Sequence, residues 1–252
     1  MLIHPTIDKL NGMRLYGMAN AFRAQLENPE IHNLPFEDRL ALIVDMEALE
    51  RENRQLATRL KGANLRQNAA IEDLDAQARR GIDRALLASL STCQWVKRRH
   101  NLLITGPTGI GKTWLACALS HTACRQGITT AYHRLPALMQ DLDFARHDGR
   151  YKKIMRTIAK AELLVLDDFG IAPMSGDQLR DLLEIIDERY QKGSTLITSQ
   201  LPIANWHDAL NDPTMADAIL DRVLHNAYKM ELDRDGESMR RLRTKIDPTE
   251  TL

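Results

Sequence analysis

The sequence predicts an α/β protein: a mostly parallel sheet covered by helices on both faces, preceded by a small all-helical domain. Three observations predict it. From residue 101 onward short apolar runs alternate with helical stretches; strands alternating with helices build parallel sheets buried on both faces. A glycine-rich loop ending in Gly-Lys-Thr stands between the first apolar run and an apolar helix. The first 70 residues carry helical periodicity alone.

In chain order, Leu15, Met18, Phe22 and Leu26 recur at helical spacing, and Asn28-Pro29 breaks that helix. A second helix is expected to start near Pro35, with Glu37 and Asp38 in the favourable first turn. Along it Leu42, Met46, Leu49, Leu56 and Leu60 form an apolar stripe, with Asn53 in the missing slot. Internal packing of that stripe is the first expectation and a partner helix the second. Residues 71–100 read as a connecting segment, basic at both ends: Arg79, Arg80 and Arg84, then Lys97, Arg98 and Arg99, with Asp83 opposing them. The core is expected over 101–245, with strands at NLLITG, ITTAYH, LLVLDD, STLITS and AYKMEL, and a tail over 246–252.

Apolar residues make up 44% and charged residues 27%, a soluble globular balance. No run of about 18 apolar residues exists, so no membrane span is expected. The opening MLIHPTIDKLNGMR is not a secretory signal, which points to the cytoplasm. Cys93, Cys117 and Cys124 form no CxxC pair, and the histidines form no HExxH, so neither disulfides nor zinc are expected. The net charge is zero, so any nucleic-acid binding must come from local basic patches.

Gly106, Pro107, Thr108, Gly109, Ile110, Gly111, Lys112 and Thr113 fit the phosphate-loop pattern GxxxxGK[ST], between strand NLLIT and the helix opened by Trp114. Glycines let backbone N–H groups approach phosphate, and the helix N-terminus adds its dipole. Lys112 is expected to neutralise the β- and γ-phosphates of ATP, and Thr113 to ligate Mg2+. Asp167 follows Lys112 by 55 positions, at the end of a buried strand. It is expected to hold the magnesium, directly or through water. Asp168 is expected to orient the attacking water.

One strand, ITTAYH, fits between the loop and LLVLDD, which inserts a strand between the two site-bearing strands. This arrangement resembles the AAA+ and RecA-like branch of phosphate-loop proteins. There is no NKxD guanine-reading motif and no LSGGQ signature. AAA+ proteins place a polar γ-phosphate sensor at the end of the next strand. Gln200 stands at the matching position, with Ser199 as the alternative. They place an arginine finger just before the last strand, where Arg222 matches; the other reading of Arg222 is an internal pair with Asp217, Asp221 or another acid.

The stretches TSQLPIANWH, NDPTMADAILDRVLHNAYKMEL, GESMRR and LLVLDDFGIAPMSGDQLRDLLEIIDERY resemble the IstB family of transposition helper ATPases, as does LPFEDRLALIVDMEALERENRQLATRLKGANL. The resemblance runs over roughly residues 6 to 244; the helicase loader DnaC and the initiator DnaA are similar in the core only. It implies a homo-oligomer that assembles on duplex DNA with ATP and helps a partner transposase select its target. Only 30 residues follow Arg222, so the lid is expected to be truncated or absent, and Arg240 is no secure second sensor.

For DNA contact, Arg146, Arg150, Lys153 and Arg156 are expected near one helical face, and the first three rank highest. Arg240, Arg241, Arg243 and Lys245 form a second patch; Arg79, Arg80 and Lys97 to Arg99 form a third. Contacts would go to the DNA backbone, with low sequence preference. Two other functions share the core: a helicase loader acting with single-stranded DNA, and a nucleotide-gated scaffold with negligible hydrolysis. A small-molecule kinase would need an acceptor site or lid pattern that the sequence does not show.

Overall fold

The computed structural model describes residues 5–74 and 82–233. Arg79, Arg80, Arg240, Arg241, Arg243 and Lys245 lie outside the described residues. The chain divides into two compact units, residues 1–58 and 59–252.

The first unit is helical: α1 (Pro5–Gly12), α2 (Tyr16–Glu27) and most of α3 (Phe36–Ala63). Asn28, extended at φ −112°, ends α2 as the Asn-Pro break predicts. Helices α2 and α3 meet at Gly17, where an added Cβ would lie 2.5 Å from the Met46 carbonyl oxygen. Leu15 gives α2 no side-chain cap. Instead Glu47 of α3 accepts from the N–H groups of Gly17 at 2.8 Å and Met18 at 3.2 Å, so a neighbouring helix caps this one. The apolar stripe divides: Leu42, Met46 and Leu49 are exposed, whereas Leu56 and Leu60 are half-buried. The α2 contact is instead made by Glu47 and by the Arg39 carbonyl, which accepts from buried Gln25 at 2.8 Å.

The second unit opens with α4 (Arg84–Ser91) and α5 (Gln94–Lys97). Asp83, the lone acid among the basic residues there, caps α4 by accepting from Ala85 and Leu86 N–H. Leu87, Leu90, Cys93, Trp95 and Val96 are buried in the main core, in the stretch expected to be connecting. Then follow β1 (Asn101–Thr105), α6 (Lys112–Arg125), β2 (Thr130–Arg134), α7 (Leu135–Asp148), α8 (Tyr151–Lys160), β3 (Leu163–Phe169), α9 (Gly176–Arg189), β4 (Ser194–Ser199), α10 (Trp206–Leu210), α11 (Pro213–Leu224) and β5 (Ala227–Glu231).

The five strands are parallel in the order β2-β3-β4-β1-β5. A strand does separate the two site-bearing strands β1 and β3, and it is β4; β2 lies at the sheet edge, paired with β3. The connection from β1 through α6 to β2 skips two positions, which β3 and β4 then fill. Alternation sends successive side chains to opposite faces. Leu102, Ile104, Leu163, Val165 and Leu196 enter one core with α4, α5 and α6. Leu103, Leu164, Leu166 and Ile197 enter the other with α7, α9, α10 and α11. Both faces are covered, so the strands read as unbroken apolar runs.

Candidate nucleotide site

The loop after β1 leads straight into α6. Gly106 has φ +146°, and a Cβ there would lie 2.3 Å from the Leu232 carbonyl oxygen, beside β5. Gly111 has φ +108° at the N-cap of α6, a conformation glycine takes without steric cost. The buried Lys112 curls back on the loop, its Nζ donating to the carbonyls of Gly106 at 2.6 Å and Pro107 at 2.9 Å. Thr113 Oγ1 lies 3.0 Å from Asp167 Oδ2. Ile110 is buried, and Trp114 is half-buried against the first core.

Asp167 is fully buried and is ringed by hydroxyls. Thr113 donates from α6, Tyr132 from β2 at 2.5 Å, and Thr198 from β4. The Tyr132 phenol is pushed well above its usual range, first by burial and then by its bond to this carboxylate.

A regular strand would send Asp167 and Asp168 to opposite faces. The register against β4 shifts between Leu166 and Phe169, and Asp168 takes φ +66°, a conformation few residues other than glycine, asparagine and aspartate adopt. The two carboxylates therefore share one site: Oδ2 of each lies 3.9 Å from Arg66 Nη1. Thr198 joins them, because its hydroxyl accepts from Asp168 N–H at 3.3 Å while donating to Asp167. Asp168 is also held by Arg134 at the end of β2, Nε to Oδ2 at 2.9 Å.

Of the two sensor candidates, Gln200 touches the phosphate loop, accepting from Thr108 Oγ1 at 2.5 Å. Ser199 is buried and is used by the backbone, donating to the Phe169 carbonyl at 2.8 Å and accepting from Leu201 N–H.

Arg222 sits elsewhere. Asn101, the first residue of β1, donates to the carbonyls of Arg222 and Val223, so Arg222 lies at the opposite end of β1 from the loop. Five residues of strand span about 16 Å. Its guanidinium pairs with Asp187 of α9, not with Asp217 or Asp221, and donates to the Ala218 carbonyl at 2.6 Å.

The basic residues expected on one helical face belong to two helices, because Gly149, at φ +78°, ends α7. Arg146 is on α7, pairing with buried Asp181 and lying 4.3 Å over the Tyr151 ring. Arg150 is the N-cap of α8 and pairs with Asp148 at 2.6 Å. Helix α8 turns Ile158 inward and leaves Lys152, Lys153 and Arg156 exposed.

Thr113 and Asp167 offer hard oxygen ligands 3.0 Å apart, the donor type Mg2+ takes. Among the described residues no cluster of three or more histidine, cysteine or acidic side chains could hold a metal alone. Two protein oxygens leave the rest of a Mg2+ octahedron to water or phosphate oxygens. Sequence reasoning missed Arg66, Tyr132, Arg134 and Thr198. Tyr132 and Arg134 lie near the end of the strand paired with β3, Arg134 level with Asp167, a placement visible once the strand order is known. Arg66 carries no signal, standing 101 positions before Asp167.

The sequence profile of the IstB-like ATP binding proteins matches residues 8–247. The insertion sequence ATP-binding protein y4pL of Sinorhizobium fredii is 48% identical over 241 residues, covering 96% of this chain and 98% of that protein. The ATP-binding protein of insertion sequence IS1162 from Pseudomonas fluorescens is 44% identical over 203 residues, 80% of this chain and 88% of that one. Among solved structures, DnaI aligns with a TM-score of 0.58 at 22% identity, over 66% of this chain and 91% of that one. AMPPCP-bound DnaA from Aquifex aeolicus aligns at 0.55 and 17% identity, over 70% of this chain and 53% of that one. The structural likenesses show the fold. Among the described residues no helix is long and apolar enough to cross a membrane.

Proposed function

The chain belongs to the IstB-like ATP-binding protein family, and from that premise we propose that it is a Mg2+-dependent ATPase that assembles on duplex DNA to assist a transposase. The observation that carries hydrolysis is the break in β3 that turns Asp168 into the same site as Asp167, opposite Thr113. The loop N–H groups and Lys112 would hold the phosphates, and Thr113 and Asp167 the magnesium. When bound, the cation draws charge from the phosphate oxygens and lowers the barrier to attack on the γ-phosphorus. Asp168 would orient a water and take its proton as the β–γ phosphoanhydride bond breaks, giving ADP and phosphate. Arg134 would have to release Asp168 first. Gln200, fixed on Thr108, would report the terminal phosphate to the end of β4.

Arg222 cannot serve the site of its own chain from the other end of the sheet. A role as finger requires a second copy of the chain, which supports a homo-oligomer. Its pair with Asp187 is partly exposed and would be exchanged for the neighbour's phosphate. Duplex DNA would meet the exposed face carrying Lys152, Lys153 and Arg156, with Arg150 at its start; Arg146, held by Asp181, contributes less. The relatives' names tie them to insertion sequences, which supports a transposase of the same element as partner.

The test is ATP turnover with no DNA, with single strands and with long duplex, at one salt concentration. Stimulation by long duplex is expected. Stimulation by single strands alone would favour a helicase loader. Nucleotide binding without turnover under every condition would remove the roles given to Asp168 and Arg222.

A further inference from the structure

Arg66 reaches the site from outside every nucleotide motif. Helix α3 ends at Ala63, and Asn64, at φ +50°, turns the chain away from the helix. The segment is anchored on the core that α6 shares: Leu65 packs against it and Ala69 is buried in it. The guanidinium so placed lies 3.9 Å from both carboxylates. Its side chain is 41% exposed, so one side faces the acids and the other is open.

The charge balance says what this cation can do. Two carboxylates face two guanidinium groups, those of Arg66 and Arg134. A divalent cation on Asp167 would displace Arg66 from that carboxylate and repel it. The terminal phosphate of ATP is the anion that would arrive with the cation, and a guanidinium matches phosphate oxygens in pairs. ADP ends at its β-phosphate and has no γ-phosphate to offer. We infer that Arg66 recognises the terminal phosphate from within its own chain and makes this site prefer ATP over ADP. The inference rests on the reading of the loop as a nucleotide site and adds the residue that selects the nucleotide.

Calorimetric titration of the full chain with Mg2+ and either a hydrolysis-resistant ATP analogue or ADP tests it. Arg66→Ala is expected to weaken the triphosphate about tenfold and ADP less than about twofold. Arg66→Lys keeps the charge and should fall between parent and Arg66→Ala for the triphosphate, which guards against a mere folding defect. Equal losses for both nucleotides, no loss for either, or a parent protein that does not prefer the triphosphate would overturn the inference. Lys112→Ala separates the two levels. If it leaves both affinities at the parent values, the nucleotide reading fails and Arg66 with it. If it abolishes both while Arg66→Ala changes them equally, only the role of Arg66 is lost.

Discussion

At the amino-terminal end of the sheet Arg189 is almost fully buried, and its guanidinium is saturated largely by backbone: it donates to the carbonyls of Ile158 at 2.8 Å, Ala161 at 2.6 Å and Ser194 at 2.5 Å, and to Thr195 Oγ1. At the carboxy-terminal end Asp167 is buried as completely, yet its partners are the side chains of Thr113, Tyr132, Thr198 and Arg66. Backbone carbonyls cannot leave without unfolding the end of α8 and the start of β4 that carry them. Hydroxyls and guanidinium groups can rotate away. The first end is therefore built as a fixed frame, and burial alone pushes Arg189 down to about 10. The second is built to trade partners when a ligand arrives.

Substitutions at the site should remove chemistry without touching the frame. Asp168→Asn should cut turnover about a thousandfold while ATP still binds. Arg222→Ala should do the same, because its pair with Asp187 is partly exposed and worth under about 1 kcal/mol to the single chain. Mixing Arg222→Ala with a Lys112→Ala subunit should restore some turnover; no rescue would make Arg222 a structural residue. Conversely, Arg189→Ala should cost about 3 kcal/mol or more in urea unfolding, since it leaves buried carbonyls unsatisfied. An unchanged midpoint would sink the frame argument. Lys112→Ala should weaken ATP about a hundredfold.

The smallest effect concerns the helix that runs between the two ends. Ser175 and Gln178 form a reciprocal capping box at the start of α9. Ser175→Ala should cost about 1 kcal/mol in unfolding and spare nucleotide affinity. In the helical unit, burial works to raise the Glu47 carboxyl, but Arg51 and the Met18 and Gly17 N–H donors outweigh it, so the group titrates below its ordinary value. A carboxyl lowered on folding contributes stability in full above its unfolded value, and loses it as pH falls through the folded one. Helix content in acid should therefore fall at higher pH in Glu47→Gln than in the parent.

The sequence carried the phosphate loop, all five strands and Asp167 because each is signalled within a few residues, by glycine spacing or an apolar run. The partners of Asp167 were not legible, since Arg66, Tyr132 and Thr198 meet only through the strand order and the path of the chain after α3. The approach of Asp168 to the same site needs a backbone irregularity that an Asp-Asp pair does not announce. The basic face was misread because Gly149 splits into two helices what spacing alone would join. The exposure of Leu42, Met46 and Leu49 was missed because periodicity gives a face but not what lies against it.

The contact between Gly106 and Leu232 makes the edge strand a gauge of the loop. The Leu232 carbonyl oxygen stands where a side chain on Gly106 would be, and the Leu232 N–H donates to Thr105 at 2.8 Å. Any shift of Gly106 toward that carbonyl would press on it and strain that bond. The amide-exchange rate of Leu232 would therefore register nucleotide arrival at a position that touches no phosphate, and could follow loading in every subunit of an assembly without a label.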